Sequence, residues 1–158
     1  MALTNPSSGA FLGSPNTATL TITDDDIATT SPPVLRLDSS GPDANQAAAL
    51  DSILFLRDPF PKQNSASWLD LGSDRNTRVL IFVANLSLSA GEPVTVNLVD
   101  ANAAPFDIVA EDVRVVPNSD VAQISFRLPD TVANGPCTVK LRGGSGPYSN
   151  TAKFRIAP

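Results

Sequence analysis

The sequence predicts an all-β protein: an antiparallel sandwich of about seven or eight strands, preceded by an orphan strand and a Pro-rich linker. Composition is the first observation behind this. Val, Ile, Thr, Ser, Asn and Asp are plentiful, whereas the helix formers Glu and Lys number only 2 and 3. The second is spacing, since short apolar runs recur roughly every 8 to 14 residues between clusters of Gly, Pro, Asn and Asp. The third is what the chain lacks. No apolar run approaches the ~18 residues of a membrane-spanning helix, and charged residues are only 17%, too few for long solvated helices or charge-driven disorder. With 158 residues, the chain holds about one domain and a short extension.

The extension is residues 1–32. Thr17–Thr23 alternates small or hydroxylated residues with Leu20 and Ile22, the period of a half-buried strand. Gly13-Ser14-Pro15-Asn16 supplies a turn before it and Asp24-Asp25-Asp26 closes it. Thr29–Pro33 is a stiff extended linker, because proline fixes its own φ and restricts its predecessor. A single strand cannot bury its own face. It is therefore expected to add to a sheet edge, of its own sandwich or of a second copy, which makes a homodimer through residues 17–23 an expectation.

Residues 33–158 carry the sandwich. Strands are expected at Val34–Leu37, Ile53–Leu56, Arg78–Ala84, Val94–Val99, Val113–Val116, Val121–Leu128, Cys137–Arg142 and Thr151–Ile156. The run 78–84 is continuously apolar after its first residue, which predicts a strand buried on both faces or crossing the middle of the core. Pro117–Asp120 and Gly143–Asn150 read as hairpin loops. Residues 43–50 read equally as a short helix capped by Asp43 or as a surface loop. Phe55, Phe82, Phe106, Phe126 and Phe154 are expected in the interior, with Phe82 and Phe126 between the two layers. Trp68 reads as a core anchor ahead of a sugar-stacking platform.

At Gly9–Asp26 the sequence resembles the C-terminal end of a Calx-beta domain, whose last strand closes in a T-x-T-I-x-D-D-D run like Thr19–Asp26. The upstream strands of such a domain do not precede it here, so the resemblance implies a truncated boundary. Residues 134–156, from Asn134-Gly-Pro-Cys-Thr-Val through Tyr148-Ser-Asn to the final strand, resemble the end of IPT/TIG-type immunoglobulin-like domains. That resemblance implies an immunoglobulin-like sandwich over 33–158. The chain departs from the antibody pattern, with no pair of cysteines flanking a tryptophan.

Chemistry is sparse. The chain has no histidine, which excludes His-dependent nucleophilic sites and His-containing metal sites. Cys137 reads as a small buried hydrophobe. The Calx-beta resemblance implies calcium ligation by Asp24, Asp25 and Asp26, but three carboxylates fill about half of a shell of six to eight oxygens. The site is thus expected to be incomplete in this chain, and the alternative reading is a self-repelling strand end. Asp100, Asp107, Glu111 and Asp112 could meet at one end of the sandwich, but their spacing fits no EF-hand loop and they read as turn and edge residues. Asp70, Asp74, Arg75 and Arg78 read as an ion-pair cluster. Glu92 and Glu111 could formally pair as in a glycosidase, and Asn85-Leu86-Ser87 matches the glycosylation triplet.

A net charge of −5 argues against a nucleic-acid backbone as partner, and nothing points to membrane insertion. The expected function is a non-catalytic extracellular structural or adhesion module of a larger bacterial surface or secreted protein, with neighbouring domains as partners and no signal peptide at Met1–Pro6. The alternative is a calcium- or carbohydrate-binding module attached to a secreted enzyme or adhesin.

Overall fold

The computed structural model describes residues 31–65, 68 and 72–158. The Thr17–Thr23 strand and the Asp24–Asp26 run lie outside the described residues. Nine strands build the fold: β1 Val34–Leu35, β2 Ala49–Asp51, β3 Arg78–Ala84, β4 Val94–Val99, β5 Pro105–Val109, β6 Asp112–Val115, β7 Val121–Arg127, β8 Gly135–Gly143 and β9 Ala152–Ile156. Among the described residues there is no helix.

One sheet runs β1-β3-β7-β6 with β2 also paired to β3, and the other runs β5-β4-β8-β9. Every pairing between named strands is antiparallel. Consecutive strands β3 and β4 lie in different sheets, as do β5 and β6, and β7 and β8. This is the Greek-key arrangement of an immunoglobulin-like sandwich, with the two inner faces meeting in one core.

Strict alternation explains the layers. In β3, Val79, Ile81 and Val83 are fully buried, and in β7 Ala122, Ile124 and Phe126 oppose them. From the second sheet, Val94, Val96, Leu98, Cys137, Val139, Leu141, Phe154 and Ile156 fill the other side. Phe154 meets Phe60 edge-on at 5.6 Å between ring centroids and Phe126 at 6.5 Å, within the range of favourable ring pairs.

The same alternation corrects part of the sequence expectation. Phe82 sits one step out of phase with Val79, Ile81 and Val83, so it points to the outer face opposite Gln123 and is only half-buried. β3 is therefore not buried on both faces. Phe55 is 65% exposed and Trp68 74% exposed; neither is in the core. Phe106 packs against the core from the edge strand β5, a strand that the sequence reading left as loop.

No strand forms over 53–56; β2 lies just before, at 49–51. The cause is the buried carboxylate of Asp51, whose Oδ1 accepts the amides of Ile53 (2.8 Å) and Leu54 (2.7 Å). The Phe55 amide then bonds back to the Asp51 carbonyl at 2.9 Å. Such local side-chain capping competes with a strand ladder and folds the run into a turn. Residues 43–50 become a turn followed by bridges and β2.

The segment before β3 also seals an edge. Gln46 and Phe60 bridge in parallel to Lys153 and Ile156 of β9, giving that edge partners that would otherwise be open to another chain.

Candidate functional site

Among the described residues, Asp100, Asp107, Glu111 and Asp112 are individually committed. Asp100 Oδ1 accepts the amides of Asn102 (2.9 Å) and Ala104 (3.0 Å) in the β4–β5 turn, and its Oδ2 accepts the Ala133 amide at 2.9 Å. It thereby ties that turn to the link between β7 and β8. Asp107 accepts from Asn97 Nδ2, Glu111 pairs with Arg78, and Asp112 pairs with Arg114. These carboxylates serve turns and edges and do not converge. Glu92 accepts the Ser89 amide, so Glu92 and Glu111 are held by different partners. Among the described residues, no group of three or more His, Cys, Asp or Glu is placed to hold a metal ion.

Of the expected ion-pair cluster, Asp74 and Arg78 are paired, and the network extends to residues that the sequence reading did not group with them. Asp74 pairs with Arg78 (2.7 Å) and Arg127 (2.9 Å), Arg78 reaches Glu111, and Arg127 reaches Asp130. Asp70 lies outside the described residues. Cross-strand pairing of Arg78 with Arg127 sets two like charges side by side, and the intervening carboxylate of Asp74 offsets their repulsion.

Titration follows from these contacts. The Arg127 guanidinium, then Arg78 and the Asn76 amide, hold Asp74 far below the usual carboxylate range. The Ala133 amide leads in lowering Asp100, and the Ser40 hydroxyl leads in lowering Asp38. Each carboxylate is thus more acidic folded than unfolded, so its stabilisation is present above about pH 4 and lost as pH falls through the folded-state values. Burial pushes the Cys137 thiol up to about 11 from an ordinary 9.0. The unfolded chain therefore ionises first, and stability should also fall from about pH 9 towards 11. We expect thermal unfolding to show a plateau between about pH 5 and 8 with losses on both sides, the alkaline loss shrinking in Cys137→Ala. A thiol reagent should leave Cys137 unmodified in the native protein and react once denaturant is added; rapid native reaction would contradict the buried position.

The outer face of the second sheet carries a different arrangement. β8 alternates strictly, with Cys137, Val139 and Leu141 inward and Thr138, Lys140 and Arg142 outward. From the β8–β9 loop, Tyr148 meets both cations, Lys140 Nζ 4.4 Å and Arg142 Cζ 4.9 Å from its ring centroid. Lys153 of β9 lies opposite Thr138, and Thr95 and Asn97 of β4 lie opposite Arg142 and Lys140. Arg36, Arg57, Arg78, Arg114, Arg127 and Arg155 all have carboxylate partners. Lys140, Arg142 and Lys153, like Lys62, take part in none of the ion pairs found among the described residues. Arg142 Nε is shut away from solvent with no acceptor, so contact with the Tyr148 ring holds this guanidinium in place of a hydrogen bond. The sequence signal for this site was the alternate-position set Thr138, Lys140 and Arg142, visible once β8 is phased, but Tyr148 comes from a loop whose path the sequence does not specify.

Comparison with protein-family models, curated proteins and solved structures yielded no match.

Proposed function

We infer that the chain is a non-catalytic extracellular structural and adhesion module, a load-bearing spacer within a larger bacterial surface or secreted protein. The observation that carries this reading is where the described chain enters and leaves the sandwich. Ser31 and Pro33 lie beside Asn85–Ser87 and Gly143, at the end where β3 finishes. Ala157 and Pro158 lie beside Pro61, Asn76 and Asn134, at the end where β3 begins. Entry and exit are therefore separated by about the length of β3, roughly 20 Å. Neighbours joined at these points would be held in line.

Load applied between those ends acts along the strands. β1 is drawn past β3 and β9 past β8, so the ladder bonds Val34–Ala84 and Cys137–Phe154 are sheared together rather than unzipped singly. Asn150 adds a clamp at the entry end, where its Oδ1 accepts the Leu35 amide (2.7 Å) and its Nδ2 donates to the Leu35 carbonyl (3.2 Å). Pulling the full chain between handles at Ser31 and Pro158 in a force spectrometer tests the reading. One cooperative rupture releasing about 400 Å of chain is expected, at reduced force in Asn150→Ala. Gradual extension at low force would count against a spacer.

A further inference from the structure

We propose that the outer face of the β5-β4-β8-β9 sheet binds an acidic polysaccharide, one whose sugar rings bear carboxylates, through Lys140, Arg142, Lys153 and the Tyr148 ring. The observation is independent of the entry and exit geometry. In a chain of net charge −5, three cations without carboxylate partners share one sheet face, while the arginines of the other sheet's outer face are neutralised in pairs. Holding like charges together without counter-ions is unfavourable unless a partner supplies them. The acids near this face are already engaged: Asp107, two strands from Lys140, roughly 10 Å, accepts from Asn97 at 2.8 Å, and Asp43 and Asp58 at the β9 edge are held by Arg155 at 3.6 and 3.5 Å.

The surroundings choose among anions. Lys140 and Arg142 are two residues apart on β8, so their rows are spaced by about 7 Å, and Lys153 with Thr138 forms the next row. Beside the cations stand neutral hydrogen-bonding side chains, Thr95 and Asn97 on β4 opposite Arg142 and Lys140, and Thr138 on β8 opposite Lys153. Such a surface suits a polymer with many hydroxyls and a carboxylate at intervals. The Arg142 guanidinium already rests against the Tyr148 ring, 4.9 Å from its centroid, which reduces the ordering cost of a forked contact to a carboxylate. A nucleic acid fits worse: its backbone charge is denser than three cations can neutralise in an acidic protein, and the site offers one ring rather than a stacking series.

The test is calorimetric titration of the full chain with polygalacturonate, and separately with its neutral methyl ester, polyglutamate and an oligothymidylate. We expect polygalacturonate to bind with salt-sensitive affinity and the other three to bind at least about tenfold more weakly. Lys140→Gln, Arg142→Gln and Lys153→Gln should each weaken binding by about tenfold while keeping the β-sheet circular dichroism of the parent. Arg36→Gln, on the other sheet, should leave it unchanged, and Tyr148→Phe, which keeps the ring, should retain it. No binding of polygalacturonate at low salt, or equal binding of polyglutamate or oligothymidylate, would overturn the proposal. So would full affinity in the triple Gln variant. None of these results bears on the force measurement.

Discussion

Phe126→Ala should destabilise the protein by about 3–5 kcal/mol, whereas Phe82→Ala should cost about 1 kcal/mol. Both are phenylalanines on adjacent central strands, and only the pleat separates them. Phe126 is fully buried, opposite Val79 and against the Phe154 ring. Its removal leaves a void lined by side chains from both sheets, and the surrounding close packing relaxes only partly. Phe82 loses a half-exposed contact near Leu37, Leu50 and Arg57, where solvent can enter. Denaturant unfolding of the two variants under one condition gives the comparison. Equal losses would mean that β3 is phased differently from the structure described.

The second large effect is expected at Asp51. Asp51→Ala should lower stability by about 2–3 kcal/mol, because it strands the amides of Ile53 and Leu54 in a position where Asp51 itself is only 2% exposed. The contact of Asn64 Nδ2 with Oδ2, at 3.5 Å, is lost as well. Asp51→Asn keeps one oxygen for the two amides and should recover roughly half of the loss. Proteolysis under native conditions supplies an independent readout. With Asp51 gone, the 52–56 turn should be cut first, since its order rests on that carboxylate. A variant as stable and protease-resistant as the parent would show that the turn is held by other contacts.

These two sites also mark how far the sequence could be read. The strands Arg78–Ala84 and Val94–Val99 were legible to the residue because their apolar pattern is long and their flanking turns are strong. The hairpins at 117–120 and 143–150 were legible for the same reason, through Pro, Gly and Asn. Phase was not legible in β3, where Val79 through Val83 are all apolar and alternation carries no information. What assigns Phe82 outward is its register against β7, a tertiary fact.

The Ile53–Leu56 run misleads in a different way. Its residues favour a strand, but Asp51 placed just before them captures their amides, and Phe55 settles at a positive φ of 55°. Phe55 and Leu56 are then left exposed. β5 was missed because Pro105 and Asp107 interrupt it; both are tolerated there since β5 is an edge strand with one open side. Asp100 read correctly as a turn residue, although its reach to Ala133, 33 positions away, was beyond any local pattern. The Tyr148 cluster needed the fold before it could be seen at all, since its members come from β8 and the following loop and face the same way only through the pleat.

The most direct measurement is a set of nuclear Overhauser contacts on the full chain. Backbone contacts are expected between Ile81 and Ile124 and between Leu98 and Val139, with ring contacts between Phe126 and Phe154 across the layers. Pairing of β7 with β8 as a simple hairpin would place those consecutive strands in one sheet and contradict the two-layer arrangement on which the in-line spacer and the cationic face both depend.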